Sequence, residues 1–193
     1  TLDGSEICDD GNDADHDGCS ALCEPETPRW TRLNPSQAPS ARQGAVMVWD
    51  SNREVVVLFG GFVDGQPPSN ETWEWDGTQW TEKSFAVTPP ARALHHMAFD
   101  TYSGVVVLFG GWTGGSDRDN DLWEYDGLNW TPIVTLTTPP ARSSAGFAYD
   151  PYRRTLLLHG GFSGTQTLED TWEFNGTDWV EKEPTISPGA LSN

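Results

Sequence analysis

Three short apolar runs, each closed by a glycine pair, constrain this chain most: Val55–Gly61 (VVVLFGG), Val105–Gly111 (VVVLFGG) and Thr155–Gly161 (TLLLHGG). Each is too short for a helix and rich in β-branched or aliphatic residues, so each reads as a strand buried on both faces. The glycines let the backbone leave the strand at positive φ and let a neighbouring chain approach closely. The pairs Gly60-Gly61, Gly110-Gly111 and Gly160-Gly161 lie 50 residues apart. Self-similarity at that period means a repeat architecture.

Other markers keep the same register. Ala41-Arg42, Ala91-Arg92 and Ala141-Arg142 open the units, and a first strand follows in each (Ala45–Trp49, His96–Phe99, Gly146–Tyr149), ending at Asp50, Asp100 and Asp150. After the Gly-Gly strand comes a stretch of variable sequence, read as a loop. A third strand then carries Trp73-Glu74-Trp75, Trp123-Glu124-Tyr125 or Trp172-Glu173-Phe174. Its alternation puts two aromatics on one face and the Glu on the other. Asp76-Gly77, Asp126-Gly127 and Asn175-Gly176 signal a hairpin, and the fourth strand carries Trp80, Trp130 or Trp179. Four antiparallel strands per unit of about 50 residues make a propeller blade.

The opening Arg, the terminal Gly-Gly, the Trp-x-aromatic and the final Trp resemble the kelch motif. His95, three residues after Arg92, stands where kelch units often carry His; Ala45 and Ala145 replace it in the other copies. The resemblance implies an all-β fold, a kelch-type β-propeller arc of three four-stranded antiparallel blades at about residues 39–87, 88–137 and 138–186. Trp30-Thr31 looks like the last strand of a preceding blade, and Pro188–Leu191 like the start of a following one, giving partial blade ends at 29–33 and 187–193. Three blades do not close a propeller. Further blades of the same parent chain, or other copies, are therefore expected as partners.

Residues 1–28 form a different module. They hold Cys8, Cys19 and Cys23, all the cysteines of the chain, among Asp, Gly and Asn with few apolar residues. Such a segment builds no core of its own, so disulfides are its expected staple, in an oxidising compartment. Cys8-Asp9-Asp10-Gly11-Asn12 with Asp17-Gly18-Cys19-Ser20 and Cys23 resembles the Myxococcus-type cysteine-rich repeat, truncated at its amino end. That resemblance implies a secreted or surface protein, mostly bacterial. Asp13, Asp15, Asp17, Gly18 and Glu24 also match the ligand spacing of a calcium loop. Flanking helices are missing, because Gly4, Gly11 and Pro25 leave no room for them, and the alternative is a solvated acidic loop. Calcium is the one cofactor the sequence points to.

The formal net charge is −18, of which residues 1–29 contribute −8. That balance argues against nucleic acid and anionic membrane surfaces as partners. No run reaches membrane-spanning length. The recurring Trp residues read as packing between sheets, and Arg42, Arg92 and Arg142 as braces for loop carbonyls. His95 and His96 are adjacent, so they point to opposite faces and share no metal. With no cysteine in the repeats, copper chemistry of the galactose oxidase kind is unsupported, and no nucleophile–base pair is visible.

The expected role is therefore binding of a protein or glycan, outside the cell or at its surface, without catalysis. The alternatives are a fragment of a carbohydrate-active propeller whose catalytic residues lie elsewhere, and a structural spacer. The loops after each Gly-Gly pair (Phe62–Glu71, Trp112–Asp121, Phe162–Asp170) differ most between copies, and variable loops on a repeated scaffold carry recognition. Phe62, Asp64, Trp112, Asp117, Arg118, Asp119 and Phe162 are the candidate ligand-binding residues.

Overall fold

The computed structural model describes residues 30–186, 188 and 189. The chain divides into two compact units, Thr1–Asn34 and Pro35–Asn193. The cysteines, the candidate calcium ligands Asp13, Asp15, Asp17 and Glu24, and Leu191 lie outside the described residues. Residues 30–33, read above as a strand of a preceding blade, form no strand, and Trp30 is exposed.

Every regular element among the described residues is a β-strand. The first repeat carries β1 (Arg42–Gln43), β2 (Val46–Asp50), β3 (Val55–Phe59), β4 (Phe62–Val63), β5 (Thr72–Trp75) and β6 (Trp80–Lys83). The second carries β7 (His96–Asp100), β8 (Val105–Gly114), β9 (Asp117–Tyr125) and β10 (Trp130–Ile133), and the third β11 (Gly146–Asp150), β12 (Thr155–His159), β13 (Thr171–Phe174) and β14 (Trp179–Lys182). Three four-stranded antiparallel sheets result, in the orders β2-β3-β5-β6, β7-β8-β9-β10 and β11-β12-β13-β14. Their registers repeat: Val46 pairs with Phe59, His96 with Phe109 and Gly146 with His159.

Two details correct the sequence expectation. There are four sheets rather than three, because β1 and β4 pair as a two-stranded ribbon. After the Gly-Gly turn the chain folds back over the segment that follows the repeat Arg. The first repeat pairs two residues there; the others make single bridges, Ala93–Trp112 and Ser143–Phe162. The second correction concerns Trp112–Asp121, which is not a loop. β8 and β9 continue past Gly110-Gly111 as one long hairpin, with register shifts between Phe109 and Gly111 and between Trp112 and Gly114. Glycines at positive φ absorb such bulges, so pairing resumes beyond them.

The first strands of the repeats lie side by side, β7 between β2 and β11. The second strand of the middle sheet is buried on both faces, as its unbroken apolar run requires, whereas Leu157 of the third sheet is 42% exposed. Val106 and Leu108 join Val57, Phe59, Met97, Phe99, Tyr125 and Trp130 in a core between the first and second blades. Val107 and Phe109 join Leu122, Leu156, Leu158, Phe174 and Trp179 in the core between the second and third. At about 25 cal/mol per Å² of apolar surface, these two cores are the main source of stability.

The short turns are set by side chains. Asp50, Asp100 and Asp150 each accept two backbone N–H groups with Oδ1, from residues two and three positions on. Asp76, Asp126 and Asn175 do the same in the four-residue loops before the last strands. Such Asx turns fix the ends of the sheets away from the Gly-Gly loops.

Candidate functional site

The loop face rests on a brace repeated three times. In the second blade the fully buried Arg92 donates from Nη1 to the Gly110 carbonyl at 2.8 Å. It forks onto Asp121 at 2.5 and 2.7 Å and donates from Nε to the Pro90 carbonyl at 2.9 Å. Trp123 adds its indole N–H to the same carboxylate at 2.6 Å. Arg142 repeats this on Gly160, Asp170 and Pro140, with Trp172 as the second donor. Arg42 does so more loosely on Gly60, Glu71 and Ser40, with Trp73. The guanidinium's planar fork suits a carbonyl and a carboxylate together. The arginines are therefore braces, as the sequence suggests. The carboxylates Glu71, Asp121 and Asp170 escaped sequence reasoning.

Backbone bonds tie the second and third braces to the blade before each. Gly61 N–H donates to the Arg92 carbonyl and Gly111 N–H to that of Arg142, each at 2.9 Å. This close approach is what the glycines are for. A Cβ on Gly60 would lie 2.4 Å from the Arg92 oxygen, and one on Gly111 2.6 Å from the His95 Cβ. A second ladder runs through residues 44, 94 and 144: Leu94 N–H donates to the Gly44 carbonyl at 2.8 Å, and Ser144 N–H to that of Leu94 at 3.0 Å.

On this scaffold the predicted aromatics pack on neighbouring blades. The Phe62 and Trp112 rings meet at 5.0 Å between centroids, and the Trp112 indole N–H donates to the Gly115 carbonyl at 2.9 Å. Arg118 lies 5.5 Å from the centre of the Phe162 ring and donates from Nε to Ser143 Oγ at 3.0 Å. These contacts make a line of half-buried side chains across three blades, Phe62 to Trp112 and Arg118 to Phe162. Arg118 and Ser143 are 25 residues apart, a contact that no local motif announces.

The candidate carboxylates divide. Asp119 is spent on the backbone: its Oδ1 accepts the N–H groups of Asn120 and Asp121 at 2.8 and 3.2 Å. Asp117 sits exposed at the tip of the β8–β9 hairpin, accepting only the Ser116 hydroxyl at 3.3 Å. Asp64 is exposed on the first blade, at the mouth of a cleft of about 480 Å³ that also takes in Arg42, Gln43, Phe62, Val63 and Gln66. Thus the structure joins Arg118 to Phe162 and Phe62 to Trp112, and leaves the Asp64 and Asp117 carboxylates exposed to solvent.

His95 and His96 do point opposite ways. The His95 ring meets Phe59 edge-on at 5.5 Å, and its two nitrogens have no hydrogen-bond partner among the described residues. His96 accepts the Ala145 N–H with Nε2 at 2.8 Å, so its own proton sits on Nδ1. Burial first, then the neighbouring charges, holds the His95 pKa well below the ordinary value; His96 is lowered to about 3, again by burial and by Arg142. Neutral imidazoles here are packing groups. Among the described residues no three His, Cys, Asp or Glu side chains gather as a metal site, and no helix is long and apolar enough to cross a membrane.

A family model, the KLHDC2/KLHL20/DRC7 Kelch-repeats domain, matches residues 7–180. No curated protein matches the chain. The matched span, the four-stranded antiparallel sheets and the thrice-repeated Arg and Gly-Gly brace agree, and the chain belongs to the kelch-repeat family.

Proposed function

We propose that this chain is a non-catalytic binding module that recognises a protein segment across its loop face. Kelch-repeat domains are typically interaction modules without catalysis. The observation that carries the reading is the β8–β9 hairpin, which continues beyond the Gly-Gly pair and is pinned by Arg118 to the third blade, with Asp117 exposed at its tip. A rigid projection with an open acceptor loses little conformational entropy on binding. Asp64 and Asp117, on a chain of net charge −18, favour a positively charged segment.

Panning the chain against a random peptide display library tests this. Lys- or Arg-bearing peptides are expected to be enriched. Replacing Asp117, Arg118 and Asp119 with Ala should abolish their binding while the melting temperature moves by only a few degrees. Changes at Asn52 and Tyr102, in the opposite turns, should leave binding intact. Loss of binding from the turn changes alone contradicts the choice of face. Binding to a glycan array without peptide enrichment moves the ligand from protein to carbohydrate.

Export to an oxidising, extracellular or cell-surface setting is the second part of the proposal. It rests on the acidic head, where Cys8, Cys19 and Cys23 sit among few apolar residues. Calcium is its proposed ion, on the spacing of Asp13, Asp15, Asp17 and Glu24. Native mass spectrometry with alkylation of unreduced protein reads both. At most one thiol should be alkylated, and calcium should add to the mass at millimolar-order concentration. Three alkylated cysteines contradict export, and a mass unmoved by calcium contradicts the ion.

A further inference from the structure

The three loops that precede the last strands share one geometry and differ at one side-chain atom. Asp76 Oδ1 accepts the Thr78 and Gln79 N–H groups at 2.8 and 2.9 Å, and Asp126 Oδ1 accepts those of Leu128 and Asn129, each at 2.7 Å. In the third blade Asn175 takes this place, and its Oδ1 accepts the Thr177 and Asp178 N–H groups at 2.9 and 3.0 Å. Its Nδ2 makes no hydrogen bond among the described residues. The turn uses the amide oxygen alone, and loss of the amide nitrogen removes no contact from it.

The residue that follows is also special. Asn175 is the only Asn of the sequence followed directly by Gly; the others within the chain precede Asp, Pro, Arg, Glu or Trp. A glycine leaves its backbone nitrogen unshielded by a side chain. Asn175, Gly176 and Thr177 are exposed, and a Cβ added to Gly176 would meet nothing within 4 Å. Solvent therefore reaches both the amide and the neighbouring nitrogen.

We propose that Asn175 is a modification site, at which the turn promotes its own deamidation. The Gly176 nitrogen gives its proton to hydroxide and adds to the Asn175 Cγ. The tetrahedral centre expels ammonia, whose last proton comes from water, and a five-membered succinimide remains. A water molecule then opens the ring at either carbonyl. One opening gives an aspartate in the ordinary chain linkage; the other gives an isoaspartate, whose main chain runs through the side-chain methylene. The net change is one water consumed and one ammonia released. The two N–H groups already on Oδ1 stabilise the negative charge that gathers there as the new bond to Cγ forms.

In the other two blades the same donors hold an ionised carboxylate, which resists addition of a nucleophile. Hydrogen bonds from Thr78 and Gln79 lower the Asp76 pKa to about 2. Burial raises that of Asp126, but the Asn129 and Leu128 N–H groups outweigh it and hold it below the ordinary value. At neutral pH Asn175 is thus the reactive member of three equivalent turns. Its two products act differently on the blade. The aspartate restores the turn of the first two blades, with a charge on the accepting oxygen. The isoaspartate lengthens the main chain by one carbon and breaks the turn. Asp178 in this loop accepts the Thr137 N–H at 2.8 Å, so a tie to the segment entering the third blade loosens with it.

Incubating the 193-residue chain in mildly alkaline buffer, followed by peptide mass mapping, tests the proposal. A gain of about one dalton is expected at Asn175 before any other Asn. It should appear about tenfold faster in the folded chain than in the same chain unfolded by urea at the same pH. An isoaspartate methyltransferase should label the aged chain, and the labelled fraction should melt a few degrees below the parent. Asn175→Asp should melt at or slightly above the parent. An unchanged mass, a gain that maps first to another Asn, or a rate in the folded chain no higher than in the unfolded one overturns the proposal. An Asn175→Asp variant that melts well below the parent contradicts the equivalence of the turns on which it rests.

Discussion

Arg142→Ala is expected to destabilise the repeat unit by about 3–5 kcal/mol, the usual penalty for removing one partner of a buried ion pair. Arg142 is fully buried and Asp170 mostly so. Truncation leaves the carboxylate with one Trp172 donor and leaves the Gly160 carbonyl without its side-chain donor. Burial pushes the Asp170 carboxyl up, but the hydrogen bonds from Arg142 and Trp172 outweigh it and hold the pKa below the ordinary carboxylate value. Arg142→Lys keeps the charge and loses the fork, so about 1–3 kcal/mol should go. Arg42→Ala should cost about 1 kcal/mol, because Glu71 is 36% exposed and water replaces the lost partner. Urea unfolding of the three variants checks the ranking. Equal losses at Arg42 and Arg142 would mean that burial does not set the strength of the brace.

The second large effect is acid sensitivity that begins near neutrality. His95 and His96 hold their protons more weakly in the folded chain than in the unfolded one. Their contribution is therefore complete above about pH 6.5 and is lost as pH falls below it, because the unfolded state then takes up protons that the folded state refuses. At pH 5 each refused proton amounts to about 2 kcal/mol. The depressed carboxyls, Glu71, Glu74 and Asp170 among them, act in a lower window, below about pH 4.5. Between pH 7 and 5 the imidazoles act alone. Protonated His96 also loses its capacity to accept the Ala145 N–H, which links the second and third blades.

His95→Phe separates the two sites. It keeps the ring contact with Phe59, removes two buried nitrogens that lack partners, and should add about 1 kcal/mol at pH 7. It should also halve the fall between pH 7 and 5. Urea midpoints across that range measure both effects. A flat profile, or a His95→Phe variant that falls as steeply as the parent, contradicts the assignment.

The scaffold was legible in the sequence because its determinants recur in register. Val57, Val107 and Leu157 hold one strand position at 50-residue spacing, and Arg42, Arg92 and Arg142 another. A role repeated in every blade is a packing or bracing role, and the structure bears this out for the arginines and for Trp73, Trp130, Trp172 and Trp179. The brace carboxylates were not legible. One is Glu, two are Asp, and the third copy is one residue shorter, so no fixed motif picks them out. The β8–β9 extension was hidden for a related reason. Gly110-Gly111 reads as the end of a strand, but its glycines absorb a bulge and the pairing resumes. Among the candidate ligand residues, nothing in the sequence distinguished Asp119, tied to its own backbone, from Asp117, left open to solvent.

The central claim is that the loop face, and the β8–β9 hairpin in particular, is the binding surface. Backbone amide hydrogen exchange with and without a peptide enriched on the chain tests it most directly. Slower exchange confined to residues 62–66 and 112–119 is the predicted result. Slower exchange in the opposite turns, at 51–54, 101–104 and 151–154, with the hairpin unchanged, would contradict it.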